Sequence, residues 1–167
     1  MGNPADLSTD VGPVIDQDAR KLLVTHAARM DSEATLLNAL DTPAEYEAGT
    51  FFAPRLYEIA SLDELKKEVF GPILHVIRYK ASKLDDIMAQ IQNTGFGLTL
   101  GVHSRIEESA DYIFRNLDVG NTYVNRNIVG AVVGVQPFGG QGLSGTGPKA
   151  GGPRYLYRFA TEKTLTS

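Results

Sequence analysis

The sequence predicts an α/β fold, a mostly parallel sheet covered by helices. Two observations carry this. Residues 73–125 run strand, helix, strand, helix, strand, and the apolar period switches between branched runs and helical stripes at each step. Parallel neighbours need long crossovers, and helices supply them. A third observation sets the scale: 167 residues with 43% apolar content can bury one real core.

The elements follow in order. Val14, Ile15, Ala19, Leu22, Leu23, His26 and Met30 recur at helical spacing, and Pro13 suits an early-turn position, so a helix is expected over 14–31. Ala34–Leu40 reads as a short strand and Phe51–Ile59 as another, despite Pro54. Ser61 and Glu64 have capping-box spacing for a short helix that ends at Gly71-Pro72. Ile73–Tyr79 is rich in branched and aromatic side chains, the signature of a buried strand. Ser82 is placed to cap a helix with the stripe Leu84, Ile87, Met88 and Ile91, ending before Gly95. Leu98–Val102 is the next strand. Ser104 and Glu107 repeat the capping-box spacing ahead of a helix lined by Ile106, Ala110, Ile113 and Leu117. Gly120 stops that helix, and Thr122–Asn125 begins another strand. Arg154–Thr166 reads as a short helix or turn followed by a strand-like tail. The expected division is therefore 1–158 for the α/β fold and 159–167 for a strand-like tail available for association.

Charge and composition exclude several classes. Twenty acidic against sixteen basic residues, with no long basic cluster, disfavour nucleic-acid binding. The sequence has no cysteine, so it supplies no disulfide, thiolate metal site or cysteine nucleophile. No apolar run is long enough for a transmembrane helix and Met1–Asp10 has no signal-peptide core, which makes the cytoplasm the expected location.

The densest chemical signal is Gln136–Pro153, where seven of eighteen residues are glycine and three are proline. Glycine reaches positive φ without steric cost and lets a ligand approach the backbone, while Pro137, Pro148 and Pro153 restrict the turns between. Such a loop can present N–H groups to a carboxylate or another anion. It can equally be a tight crossing of chain segments. Nucleotide motifs fit it poorly. Gly142–Lys149 opens like a phosphate loop, but Pro148 precedes the lysine and Ala150 stands where Ser or Thr would bind magnesium. Gly145–Ala150 matches a loose dinucleotide fingerprint that follows no convincing strand.

His26, His75 and His103 have no metal-ligand spacing and are expected to be structural, and no Ser–His–Asp order is present. Glu68, just before Phe70-Gly71-Pro72, offers a carboxylate that could accept two ribose hydroxyls, with Phe70 presenting an apolar face to a ring. A solvated glutamate at a helix end is the competing reading.

In order, Glu68-Val-Phe-Gly-Pro72, Gly120-Asn-Thr-Tyr-Val-Asn125 and Pro137-Phe-Gly-Gly140 resemble the C-terminal third of an aldehyde dehydrogenase. The run from Asn125 through Gly140, continuing as Leu143-Ser-Gly-Thr-Gly-Pro-Lys-Ala-Gly-Gly-Pro153, is similar to the aldehyde dehydrogenase part of bacterial bifunctional proline utilisation proteins. The resemblance begins at Thr9-Asp-Val-Gly-Pro-Val-Ile15 and covers nearly the whole chain.

That resemblance implies a part of an NAD-dependent enzyme that oxidises glutamate γ-semialdehyde, the open form of pyrroline-5-carboxylate, to glutamate. In complete members a cysteine attacks the aldehyde, hydride passes to NAD and water releases the acid. The sequence is expected to begin after that cysteine, and the family's glutamate base and Rossmann fingerprint have no matching segment. FAD is expected only in the separate proline dehydrogenase domain of a parent protein. By the same resemblance Glu68 faces the nicotinamide-side ribose and Phe70 lies beside the cofactor. Phe138 lines the aldehyde pocket, and Ser144, Gly151 and Gly152 meet the substrate carboxylate. Asn125 and Asn127 are expected to fix backbone turns. Lys149 is read either as an attractor of that carboxylate or as a solvated loop charge. No catalytic residue is expected in the chain, and self-association is. The alternative is a non-catalytic binding or assembly module that retains the fold; coding sequence upstream of Met1 distinguishes the two.

Overall fold

Asp16 starts the first helix. Its carboxylate accepts from the Ala19 N–H at 2.7 Å, and α1 (Gln17–Glu33) follows. The expected start near Val14 is too early, because Asp16 supplies the cap that Pro13 cannot. The computed structural model describes residues 1–167 and divides into two units, Met1–Lys80 and Ala81–Ser167.

In the first unit, β1 (Thr35–Ala39), β2 (Arg55–Glu58) and β3 (Ile73–Val76) form one sheet in that order. β2 and β3 are parallel, as the pattern predicts, whereas β1 pairs antiparallel to β2 with an irregularity between Leu36 and Asn38. Pro54 confines β2 to the residues after it, since proline cannot donate to a ladder. Helix α1 buries Leu23, Ala27 and Met30. Leu23 and Ala27 pack with Phe52, and Met30 packs with Tyr57 and Ile59. Fully burying such a side chain contributes about 1.5–3 kcal/mol, so these few contacts carry much of the unit's stability. The Tyr57 hydroxyl donates to Asp31 at 2.6 Å, and Arg55 bonds both residues.

The Ser61–Glu64 capping box forms as its spacing predicts, but it caps only the 3-10 turn Leu62–Glu64. Leu65 then packs beside Met30 and Tyr57, while Val69 packs beside Leu23 and Phe52. Those two stations lie seven residues apart on α1, about 10 Å. Four more helical residues would advance only about 6 Å, so the chain leaves the helix to reach both.

His26 and His75 meet from α1 and β3 with their Nε2 atoms 2.9 Å apart. Burial, then the neighbouring His75, lowers the pKa of His26; burial, then Arg29, lowers that of His75. The unfolded chain therefore takes up protons near pH 6.5 that the folded unit refuses. Stability from this pair is full above pH 6.5 and falls as pH drops through that value toward the lowered folded pKa values. Urea midpoints at pH 7.5 and 5.5 are expected to differ more for the native sequence than for His75→Phe. Equal differences would remove the pair from the acid response.

The second unit contains α2 (Leu84–Asn93), β4 (Phe96–Gly97), β5 (Thr99–Val102), α3 (Glu107–Asn116), β6 (Asn121–Val124) and β7 (Gln141–Gly142). β5 and β6 pair in parallel around α3, the crossover the alternation predicts. Two expected caps differ. Ser82 lies within a 3-10 turn and Lys83 occupies the cap of α2 without a side-chain bond, while Asp85 and Asp86 supply negative charge to the first turn. Ser104 does not complete a box with Glu107: its Oγ accepts from Ile106 N, and its backbone is held by Asn125 at both N–H and carbonyl. Asn125 has φ 54°, so it fixes the turn after β6, as expected of it.

Tyr155–Phe159 is a short 3-10 helix, and residues 160–167 have irregular backbone rather than the expected strand. A strand exists only when its N–H and carbonyl groups find a ladder partner. The tail is not paired with any strand of its unit. No helix is long and apolar enough to cross a membrane.

Candidate functional site

Gly120, Gly139 and Gly140 show what the glycine-rich segment is built for. A Cβ on Gly120 would lie 1.9 Å from the Gly139 carbonyl oxygen, one on Gly139 would lie 2.6 Å from Pro148 O, and one on Gly140 would lie 2.6 Å from Ser144 O. Three backbone segments therefore cross in contact. The loop is a tight crossing of chain segments, one of the two sequence readings.

Asn121, the first residue of β6, ties the crossing down. Its Nδ2 donates to Pro137 O at 2.9 Å and its Oδ1 accepts from Gly139 N at 3.3 Å. Phe138 and Ala150 form an antiparallel bridge with bonds of 3.0 and 2.8 Å, which folds the two arms of the loop together. The short β7 pairs antiparallel with β4, an interaction without sequence signal because two residues show no period.

Ser144 is half-buried, and its Oγ accepts from Gly97 N at 3.0 Å. The hydroxyl hydrogen remains available to donate. Gly151 has φ +68°, and its N–H makes no bond within the chain; the Gly152 N–H turns back onto Lys149 O at 3.3 Å. Phe138, Ser144, Gly151 and Gly152 thus belong to one pinned loop, and among these four Gly151 offers a free amide and Ser144 a hydroxyl donor.

Lys149 corrects one of its sequence readings. Its ammonium donates to Gly120 O at 2.5 Å, to Asn121 Oδ1 at 3.3 Å and to Gly139 O. It is not a solvated loop charge. Burial lowers its pKa. Asn121 and Lys149 are the positions that sequence reasoning missed or misassigned; the only signal was their place beside Gly120 and Ala150.

Glu68 and Phe70 lie in the other unit. Val69 turns into the core, which leaves its two neighbours exposed, Phe70 at 83%. The Glu68 carboxylate makes no bond within the chain, so its acceptors are free for hydroxyl groups. No cluster of three or more metal-ligating side chains is present.

This α/β architecture, with its glycine crossing, is that of a known family. The aldehyde dehydrogenase family model matches residues 1–165, and the chain belongs to that family. It is 54% identical over 168 residues to the bifunctional protein PutA of Klebsiella aerogenes, covering 98% of this chain and 13% of that protein. It is 37% identical over 170 residues to 1-pyrroline-5-carboxylate dehydrogenase of Geobacillus sp. (strain WCH70), covering 99% of this chain and 32% of the relative. A mutant proline utilization A from Bradyrhizobium japonicum superposes with a TM-score of 0.91 at 57% identity, over 98% of this chain and 16% of that one. Thermus 1-pyrroline-5-carboxylate dehydrogenase with bound NAD gives 0.80 at 36% identity, over 93% and 30%. The chain spans about an eighth of the curated PutA relatives it matches.

Proposed function

We propose that this chain is the C-terminal portion of the aldehyde dehydrogenase catalytic domain of a PutA-type protein, acting in proline catabolism on glutamate γ-semialdehyde. The pinned loop Pro137–Gly152 is the observation that carries the substrate assignment. It holds a free Gly151 N–H and the Ser144 hydroxyl on a backbone crossing that cannot shift easily, which suits a carboxylate better than an apolar aldehyde tail.

NAD fits the exposed carboxylate of Glu68, whose two oxygens can accept from paired ribose hydroxyls, with Phe70 beside it. When bound it supplies the hydride acceptor. This chain's residues do the positioning: Glu68 and Phe70 hold the cofactor, Phe138 walls the aldehyde end from water, and Ser144, Gly151 and Gly152 orient the distal carboxylate. FAD belongs to the proline dehydrogenase domain of the parent and has no part in this segment.

The sequence contains no cysteine, so the isolated chain has no thiol to attack the aldehyde. Incubated with NAD and pyrroline-5-carboxylate it is expected to give no NADH absorbance above the protein-free rate. Enzyme-like turnover would overturn that. Light scattering on the same samples is expected to show mass rising with concentration, because Leu156, Tyr157 and Phe159 are each more than 70% exposed near the tail. A concentration-independent monomer would count against association.

A further inference from the structure

The ammonium of Lys149 is caged by oxygens that carry no formal charge: Gly120 O, Gly139 O and Asn121 Oδ1. No carboxylate pairs with it, and burial lowers its pKa without a compensating charge beside it. Asp118, the acidic residue nearest in sequence to the acceptors Gly120 and Asn121, accepts from Gln92 Nε2 instead. A half-buried lysine that satisfies its donors on neutral acceptors keeps its full positive field, whereas a salt bridge would cancel most of it. That charge belongs to the residue two positions before Gly151, in the loop that presents the free amide.

We propose that Lys149 is a specificity-determining residue that acts through the loop: it clamps the glycine crossing against β6 and places an uncompensated positive charge behind the anion-facing amides, so that the loop selects an aldehyde carrying a distal carboxylate. The inference rests on the assignment of the loop to the substrate carboxylate. Lys149 touches no substrate in this scheme; Gly151 N–H and Ser144 do. Arg158, which donates to Thr146 Oγ1 at 3.1 Å, adds a second cation to the loop from its exposed side, where solvent screens it.

The test uses the full-length enzyme that carries this segment, with glutamate semialdehyde and butanal as paired substrates. Lys149→Met is expected to raise KM for the semialdehyde about tenfold or more, to change KM for butanal less than about twofold, and to leave kcat for both within about threefold. Lys149→Arg, which keeps the charge, is expected to recover most of the semialdehyde KM. Should Lys149→Met not fold, Lys149→Gln answers the same question: its amide N–H groups can still donate to carbonyl acceptors but carry no charge, so the semialdehyde KM alone is expected to rise. Parallel KM increases for both aldehydes in either variant, or no change, would overturn the proposal while leaving the function intact. A native enzyme that does not favour the semialdehyde over butanal would overturn the function and the proposal together.

Discussion

Gly120→Ala is expected to destabilise the second unit by about 3 kcal/mol or more, the upper end of what overpacking costs. The added methyl carbon would sit 1.9 Å from the Gly139 carbonyl oxygen and 2.7 Å from Lys149 Nζ. The lysine could swing away, but the carbonyl is backbone. Its own segment is closed on the other side by Asn121 and by the Pro148 carbonyl, so it has nowhere to retreat. Gly134→Ala is the control. Gly134 has positive φ, +78°, which Gly120 does not, and nothing lies within 4 Å of its would-be Cβ. It should lose only the left-handed backbone penalty, about 1–2 kcal/mol. Urea unfolding of both variants checks the ranking; with slopes of about 1–3 kcal/mol per molar, the difference is readable as a midpoint shift. Equal losses would show that the crossing yields to the added methyl group.

What was legible in the sequence divides along physical lines. The parallel pair β5–β6 with α3 between them, and the stretch around β2–β3, were visible because burial imposes a period on every residue of a strand or helix. The Ser61–Glu64 box was visible for the same reason: one fixed spacing serves one local hydrogen-bond pattern. The end of the helix after one 3-10 turn was not, since Leu65 and Val69 answer to core clusters that are distant in sequence. Ser82 and Ser104 illustrate the converse. Each has cap spacing, but Lys83 and Ile106 hold the cap positions, and Ser104 is claimed by Asn125 from 21 residues away. At the candidate site, glycine density announced a special backbone without showing what crossed what. Lys149 could not be placed from the sequence at all, because its three acceptors lie 10, 28 and 29 residues away. Two of them are backbone carbonyls, which have no identity in a sequence. The tail shows the limit of pattern from the other side: the strand expected at 159–167 has no partner in its unit, and the backbone beyond the 3-10 helix that ends at Phe159 stays irregular.

In the full-length enzyme, Gly151→Val is expected to damage semialdehyde oxidation more than Ser144→Ala, and both losses should be larger for the semialdehyde than for an aldehyde without the distal carboxylate. The reasons differ at the two positions. Gly151 has φ +68° with no atom closer than 3.5 Å to its would-be Cβ, so the space is sufficient and the conformation is what fails. A β-branched residue strongly disfavours that region, and relief of the strain would rotate an amide that is free to bind an anion. Ser144 has two jobs. Its hydroxyl can donate to the carboxylate, and its oxygen accepts from Gly97 N. Removing it takes away a bond to a charged group, about 1.5–3 kcal/mol or roughly tenfold to hundredfold in binding. It also leaves Gly97 N–H without its partner, which costs about 1–3 kcal/mol of stability where water does not reach. The two effects separate experimentally. Unfolding midpoints report the Gly97 contact, and the ratio of kcat/KM values for the two aldehydes reports the carboxylate. If Ser144→Ala and Gly151→Val, both shown to be folded, reduce kcat/KM equally for the two substrates, the loop supports the active site as a whole and does not read the carboxylate.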